Sequence, residues 1–91
     1  MKDRNAWSLD NYLAKQIAEG TKKLLLWDHG HPTRTTHEEW REILQKLNRA
    51  FWKYHTHEAE MTHGEFLDFL ASEEWKEAWE LFQEYFVDLW D

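Results

Sequence analysis

The chain has 91 residues, with 7 Trp, 5 Phe and 3 Tyr, no cysteine, and a formal net charge of −7. This length fits one domain with a small core, so the aromatic side chains must supply much of the buried area. The absence of cysteine excludes a disulfide framework, a thiolate metal cage and a cysteine nucleophile. The acidic balance argues against binding to duplex nucleic acid, which normally requires a net basic surface.

The charge is distributed unevenly along the chain. Residues 1–53 contain 10 Lys or Arg against 7 Asp or Glu, whereas residues 54–91 contain 1 against 11. The balance therefore changes from +3 to −10 between the two segments. Such asymmetry in a small domain predicts that the two parts face different partners, or face each other across a subunit contact.

The amino terminus gives no sign of export. Its sequence, MKDRNAWSLDNY, is charged and lacks the apolar run of a signal peptide. No stretch of about 18 consecutive apolar residues, the length that a transmembrane helix needs, occurs in the sequence. We therefore expect a soluble protein of the cytoplasm that does not associate with membranes.

The first predicted helix starts after Ser8, a suitable N-cap, and Asp10 is favourable in its first turn. Gly20 lies in phase with an apolar stripe that recurs at about 100° per residue. The stripe consists of Leu9, Leu13, Ile17, Leu24 and Trp27. A glycine on an apolar face lowers helix propensity by about 1 kcal/mol but lets another backbone come close. The pattern predicts one long helix, which can kink at Gly20.

A turn and a second helix follow. Gly30 can end the first helix, Pro32 prevents its resumption, and Thr36 with Glu39 forms a capping box for the next helix. Thr35 with Glu38 offers the same signal one residue earlier. The second helix carries the clearest periodic stripe in the chain. Its members are Trp40, Ile43, Leu44, Leu47, Ala50, Phe51 and Tyr54.

Two more helices are predicted in the last third of the chain. Thr62 and Glu65 form a second capping box, and a break is expected near Ala71 and Ser72. The break is required because the apolar stripes on its two sides differ by about 140° on a helical wheel. The fourth helix should run from Glu73 nearly to the end. The sequence therefore predicts one all-α domain, residues 1–91, folded as a compact bundle of about four helices with no sheet.

The histidines raise the question of a metal site. They lie at positions 29, 31, 37, 55, 57 and 63, and Asp28, Glu58 or Glu60 could assist them in holding zinc or nickel. The candidate ligands are His29 and His31 before the second helix, and His55, His57 and His63 after it. Because a helix of about 20 residues is roughly 30 Å long, the two groups cannot share one ion. The alternative is that they are ordinary solvated histidines, and we expect no bound cofactor.

Signatures of catalysis are missing from the sequence. There is no glycine-rich phosphate loop, no nucleophile elbow and no helical metalloprotease motif. Carboxylates are numerous, but a row of carboxylates on a helix is usually a solvated face. We therefore expect a binding protein and not an enzyme.

An acidic row is predicted on the fourth helix, opposite its aromatic stripe. Like charges at i and i+4 repel each other by a few tenths of a kcal/mol, so the row favours the approach of a basic partner. The alternative is a solubilising face. The row consists of Glu73, Glu77, Glu80, Glu84 and Asp88, with Lys76 the only cation on that helix.

A basic and aromatic face is predicted on the second helix, opposite its apolar stripe. It combines Arg41, Arg49 and Lys53 with Trp52. An indole among cations could stack on a nucleotide whose phosphate the cations bind. It could equally anchor a protein contact, because Trp and Arg are frequent at interface hot spots. A third possibility is that Trp52 is covered by a neighbouring helix or by the amino-terminal arm that carries Trp7.

Three segments resemble a group of short uncharacterised proteins encoded by bacteriophages and prophages. The segments are WSLDNYLAKQI, HGHPTRTTHEEWREILQKLNRAF and LFQEYFVDLWD, and the resemblance does not extend to residues 54–72. The tyrosine expected before Pro32 is His31 here. The group's pattern matches Trp7, Asp10, Ala14, Lys15, Gly30, Pro32, Trp40, Ala50, Phe51, Leu89, Trp90 and Asp91. The resemblance implies a viral accessory protein that acts in the bacterial cytoplasm, and it brings no site residues.

Three functional hypotheses follow from the sequence. The first is a non-catalytic phage-type protein that binds and modulates another protein, such as host machinery or a defence component, through the acidic row or the Trp52 face. The second is an oligomer that sequesters an anionic nucleotide signal through Arg41, Arg49, Lys53 and Trp52. The third is metal binding through the histidines. Self-association is expected to accompany the first or second, because the positive and negative faces suit a contact between protomers.

Overall fold

The computed structural model describes residues 9–27, 31–33 and 35–89. Within these ranges the chain is all-helical without strands, as the sequence predicts, and it has five α-helices and a final 3₁₀ turn where about four helices were expected. None of the described helices combines the length and the apolar composition needed to cross a membrane. The helices are α1 (Leu9–Trp27), α2 (His37–His55), α3 (His57–Glu60), α4 (His63–Leu70) and α5 (Glu73–Tyr85), and the 3₁₀ turn is Phe86–Asp88.

Helix starts follow the predicted capping chemistry. The Thr36 hydroxyl accepts a hydrogen bond from the backbone N–H of Glu39, whose side chain accepts one from the backbone N–H of Thr36. The same reciprocal pair joins Thr62 and Glu65 at the start of α4. The chain then breaks at residues 71–72, where the predicted stripe changes direction. The single-turn helix α3 was not predicted, and the expected signals at Ser8 and Gly30 lie outside the described residues.

Helices α1 and α5 both run antiparallel to α2. The start of α1 meets the end of α2, where the Asn11 side-chain amide donates to the His55 carbonyl at 2.9 Å. The end of α1 meets the start of α2, where the Arg41 guanidinium donates to the Leu25 carbonyl at 3.1 Å. On the other side of α2, Trp40 contacts Tyr85, the last residue of α5. Helices α1 and α5 are therefore parallel to each other and share α2 as a common support.

The contact between α1 and α2 is built from small residues on α1. Ala14, Ala18 and Thr21 are its buried residues, and they face a side of α2 on which Leu47 and Ala50 are fully buried. Small side chains let two helix axes approach closely. The Thr21 hydroxyl donates to the Ile17 carbonyl at 2.8 Å, so its burial leaves no unpaired polar group. The Asn48 side-chain amide on α2 also donates a hydrogen bond to the Ala18 carbonyl at 2.6 Å.

An aromatic cluster forms the contact between α2 and α5. Phe51, which is buried, lies with its ring centroid 5.2 Å from that of Trp75, 5.6 Å from that of Trp79 and 5.6 Å from that of Phe82. The rings are tilted or edge-on, which is the arrangement that the ring quadrupoles favour. Tyr54 stacks on Trp75 at the end of the cluster where α2 stops. Phe51 thus fixes the position of α5 on α2.

The apolar stripe predicted for α1 packs only in part, because Ile17 and Leu24 are partly buried against the core and the rest is not. Leu9, Leu13 and Trp27 are each about half exposed, whereas the neighbouring small residues Ala14 and Ala18 are buried. The apolar arc of α1 is wider than one helix contact needs, and the smaller side chains make the closer contact with α2. The larger side chains are left on a flank of the helix that points toward α5 and the solvent.

We expect Ala18→Leu to destabilise the fold by about 1–3 kcal/mol, because Ala18 is almost fully buried and the added carbons would force α1 away from α2. Urea denaturation followed by circular dichroism measures the change. Lys15→Leu, on the exposed side of α1, is the control and should change the free energy of unfolding by less than about 0.5 kcal/mol. Equal losses in both variants would contradict the close α1–α2 contact.

Candidate protein-binding site

An open groove lies between α1 and α5, with α2 as its floor. Its volume is about 860 Å³, and carbon atoms make up most of its lining. Phe51 lies at the bottom, and the first turns of α1 and α5 begin at the same end. The α1 wall contains Leu13, Ile17, Gly20 and Leu24, and the opposite wall contains Trp75, Trp79 and Phe82 of α5 and Phe86 of the 3₁₀ turn.

Several side chains at the border of this groove are only half covered. Leu13 is 48 % exposed, Trp79 is 46 % exposed and Phe86 is 60 % exposed. Continuous apolar surface of this kind is rare on soluble monomers and marks a binding surface or an association surface. A Cβ atom built at Gly20 would meet nothing within 4 Å, so the α1 wall is open to solvent at this position. The space between α1 and α5 is the position that another helix would occupy in a four-helix bundle.

A polar pair lies at the end of the groove where α1 begins. The Tyr54 hydroxyl donates a hydrogen bond to the Asp10 carboxylate. This hydrogen bond favours the charged carboxylate and lowers the pKa of Asp10. Burial of the phenol and then its bond to Asp10 raise the pKa of Tyr54 to about 12. The pair ties α1 to α2 and leaves the rest of the groove apolar.

The acidic row on α5 lies beside the groove, on the outer side of the helix. Glu73 and Glu80 are exposed. Glu77 pairs with Lys46 of α2, with the ammonium nitrogen 3.1 Å from the carboxylate oxygen. Glu84 and Asp88 complete the row and have interactions of their own. The row is therefore partly neutralised within the chain, although Glu73, Glu77, Glu80 and Glu84 are all exposed.

The predicted basic face of α2 is divided by its contacts. Lys53 pairs with Glu74 of α5 at 2.8 Å. Arg41 is engaged with the Leu25 carbonyl at the end of α1. Arg49 is exposed, and Trp52 is 46 % exposed with its ring 5.4 Å from that of His55. The indole thus points away from the core as its phase predicts, but two of the three candidate cations bind other parts of the same chain.

Three of the candidate histidines make hydrogen-bond contacts within the chain. Among the described residues, no group of three or more His, Cys, Asp or Glu side chains is arranged to hold a metal ion. His55 Nδ1 lies 2.6 Å from Asn11 Oδ1, and His57 Nδ1 lies 2.6 Å from the Tyr54 carbonyl. His31 Nδ1 lies 2.9 Å from the Pro32 carbonyl. The candidate His29 lies outside the described residues, and His63 is exposed in the first turn of α4.

The groove was not predicted from the sequence, although its residues were. The stripes on the first and fourth predicted helices were identified correctly as apolar, and the structure sets them facing each other across open space. A signal was present in α1, where Leu13, Ile17, Gly20 and Leu24 lie directly beside a second set, Ala14, Ala18, Thr21 and Leu25. Two adjacent apolar sets on one helix indicate two packing partners. Among the described residues, α2 occupies one of these places.

The Asp10–Tyr54 pair predicts a pH dependence of stability. Because the pKa of Tyr54 rises from 10.0 to about 12 on folding, its contribution is complete below pH 10 and is lost as the pH rises toward 12. Because the pKa of Asp10 falls below 3.8, a second contribution is present above that pH and is lost in stronger acid.

The Tyr54→Phe variant should therefore lose less stability than the original chain between pH 10 and pH 12, measured by urea denaturation at a series of pH values. Tyr12→Phe, on the exposed side of α1, is the control and should keep the original alkaline loss. Identical profiles for the original chain and Tyr54→Phe would contradict a role for this pair.

Comparison of the chain with protein-family models, with curated proteins and with solved structures found no match. The comparisons therefore add no activity, ligand or partner to those suggested by the chain itself. The groove and its charged border are the features from which a function can be inferred.

Proposed function

We propose that this chain is a small, non-catalytic interaction protein of the bacteriophage type that binds and modulates another protein in the host cytoplasm. The principal binding surface is the groove between α1 and α5. It receives a helix of another polypeptide by the mode in which an amphipathic helix places its apolar side chains in an apolar groove. The observation that carries this proposal is the half-exposed apolar lining of the groove.

Energetics favour this use of the groove. Removing apolar surface from water contributes roughly 25 cal/mol per Å². Burial of the groove lining under a partner would therefore contribute strongly to the free energy of binding. Trp79 and Phe86 are large side chains that stand at its border, and aromatic side chains often dominate binding free energies at protein interfaces. A helix with side chains is about 10 Å across, which suits the space between two helices that share a support.

The acidic row places negative charge beside the groove, where it can affect the binding of the same partner. Glu73 and Glu80 are exposed along the outer side of α5, next to the groove. Charged side chains around an apolar contact act mainly on specificity and on the rate of association. A target with basic residues near its binding helix would be attracted to this side of the protein, and host proteins that bind nucleic acid carry such residues.

Nucleotide sequestration gains no support from the arrangement of α2. It requires the cations near Trp52 to meet phosphate, and Lys53 is paired with Glu74 while Arg41 binds the end of α1. Arg49 is the remaining member of that set, and it is exposed and does not line the groove.

The groove is tested by placing charge in it. We expect Leu13→Glu combined with Phe86→Glu to reduce capture of the partner polypeptide at least about tenfold, because both side chains line the groove and both tolerate exposure. The measurement is quantitative co-purification of polypeptides from host cells that express the chain, followed by binding of the purified partner in calorimetry.

The matched control is Leu26→Glu combined with Leu67→Glu. These leucines are at least as exposed but do not line the groove. The control should retain the partner and its affinity. Recovery of the same polypeptides at the same level by all three proteins would contradict the proposed use of the groove.

The acidic row gives a separate prediction. We expect Glu73→Lys combined with Glu80→Lys to slow association with the partner and to weaken its dependence on salt, because the attraction between opposite charges is lost. Stopped-flow mixing at low and high salt measures the association rate. Glu19→Lys combined with Glu58→Lys makes the same change in net charge on exposed residues of α1 and α3. An equal slowing by both pairs would show that net charge alone matters.

A further inference from the structure

We propose that the helix received by the groove carries a lysine or arginine in its last turn, that this cation pairs with Asp10, and that the helix therefore lies antiparallel to α1 and α5. The inference rests on the proposed function, because it takes the groove to bind a helix of another polypeptide. It adds the charge and the direction of that helix, which follow from the Asp10 carboxylate and from the unequal ends of the groove.

The lining of the groove contains one charged side chain among the residues that the structure describes. This is Asp10, and the other polar members of the lining are Gln16, Thr21 and Tyr54. Asp10 is exposed in the folded chain, so a bound polypeptide can reach its carboxylate. Covering a carboxylate with apolar atoms is costly unless a cation or hydrogen-bond donors pair with it. A helix that fills the groove is therefore favoured when it brings a cation to Asp10.

The Asp10 carboxylate is held in its charged form and can still accept a cation. The hydrogen bond from the Tyr54 hydroxyl is the main cause that lowers its pKa, and the backbone N–H groups of residues 10 and 11 act in the same direction. The Tyr54 bond reaches one of the two carboxylate oxygens, Oδ2. Because a carboxylate has about four acceptor sites, a further hydrogen bond from an ammonium or guanidinium group can be added.

The two ends of the groove differ in chemistry. Asp10 and Tyr54 lie at the end where α1 and α5 begin. The described side chains that line the opposite end are all apolar, and they are Leu24 of α1, Phe86 and Val87 of the 3₁₀ turn, and Leu89. The groove therefore distinguishes the two ends of a bound helix, because the cation has a partner at one end and apolar side chains have partners at the other.

The direction of the walls indicates which end of the bound helix carries the cation. Helices α1 and α5 begin at Leu9 and Glu73, and both starts lie at the Asp10 end of the groove. A helix has partial positive charge at its start and partial negative charge at its end. An antiparallel helix thus places its negative end beside two positive ends. Lysine and arginine are also favoured in the last turn of a helix by the same dipole, so the cation suits both its own helix and Asp10.

This direction also agrees with bundle geometry. Helices α1 and α5 run antiparallel to α2, which forms the floor of the groove. A helix that is antiparallel to both walls runs in the same direction as α2 and completes an alternating up-and-down order of four helices. The proposal concerns one inserted helix, so it requires no symmetry between the two molecules.

The length of the groove defines the pattern that the partner should contain. From Asp10 to Leu24 the α1 wall is about 21 Å long at a rise of 1.5 Å per residue. The bound helix therefore needs about four turns, with apolar side chains at alternating intervals of three and four residues. The lysine or arginine follows the last of these apolar side chains within one turn. The proposed occupant is thus an amphipathic helix that is apolar at its start and basic at its end.

The first test uses two synthetic peptides as probes, each of about 15 residues with capped termini and apolar leucines along one helical face. The peptides have the same composition, and a single lysine stands in the last turn of one and in the first turn of the other. We expect the peptide with the last-turn lysine to bind about fivefold more tightly, because its ammonium group reaches Asp10 when its leucines fill the groove. Fluorescence anisotropy of the labelled peptides measures both dissociation constants.

Asp10→Asn should remove this preference, because the amide oxygen still accepts the Tyr54 hydrogen bond but carries no charge to attract the lysine. Asp68→Asn is the matched control. Asp68 is exposed on α4, does not line the groove and changes the net charge by the same amount. This control should keep the fivefold preference. An equal preference in Asp10→Asn and the original chain, or tighter binding of the peptide with the first-turn lysine, would overturn the inference.

The second test measures the direction of the bound helix by cross-linking, which is direct because the chain has no cysteine. Leu13→Cys lies near Asp10 and Val87→Cys lies at the opposite end of the groove, and both side chains are exposed. A peptide with cysteine in its last turn should form a disulfide with the first variant, and a peptide with cysteine in its first turn should form one with the second. Leu26→Cys, which is exposed outside the groove, is the control. The reverse pairing, or equal cross-linking of all three variants, would contradict the proposed direction.

Failure of this inference can be distinguished from failure of the proposed function. The inference is overturned if neither peptide binds or if the preference does not depend on Asp10. The proposed function then stands if Leu13→Glu combined with Phe86→Glu still abolishes capture of a foreign polypeptide, and it falls if capture is unchanged. A groove filled by a second copy of the chain would give a solution mass near twice 11.2 kDa that this double variant halves, and that result would also overturn the inference.

Discussion

The close contact between Ala14, Ala18 and Thr21 of α1 and the buried face of α2 determines the rest of the structure. It aligns the two longest helices as an antiparallel pair and uses the side of α1 that carries the smallest side chains. Larger apolar residues of α1, such as Leu13 and Leu26, are therefore left exposed. Because α5 is held on the other side of α2 by the rings around Phe51, a space remains between α1 and α5. The groove is thus a direct result of which residues on α1 are small.

The local parts of this fold could be predicted because their causes are local. The Thr36–Glu39 and Thr62–Glu65 capping boxes need only four adjacent residues, and both occur as expected. The stripe on α2 was also read correctly because that helix has buried neighbours on a wide face. The packing face of α1 could not be assigned in this way. Its pattern contains two adjacent apolar sets, and the choice between them depends on how closely α2 can approach.

The pairing of charged side chains at the candidate site could not be predicted from the sequence either. Sequence periodicity placed Lys53 on a basic face and Glu77 on an acidic face, which suggested two surfaces for two partners. The structure sets α2 and α5 side by side, so that Lys53 pairs with Glu74 and Lys46 pairs with Glu77. Exposed ion pairs of this kind contribute at most about 1 kcal/mol each, so they do not determine the fold. They do reduce the number of charges available to other molecules, and this was not visible before the helices were placed.

Because alanines form the contact between α1 and α2, the loss of side-chain entropy is divided between folding of the chain and filling of the groove. Alanine has no side-chain rotamers to lose, so the α1–α2 pair forms without restricting large side chains. Exposed leucines at the border of the groove, such as Leu13, keep more of their rotational freedom in the single folded chain. Their ordering, at about 0.5–1.5 kcal/mol for each mobile side chain, is deferred until the groove is filled. Closure of the groove therefore combines the burial of apolar surface, with its negative heat-capacity change, and a late loss of side-chain entropy. The affinity of the groove for a partner will therefore depend on temperature more steeply than the affinity of a rigid preformed interface.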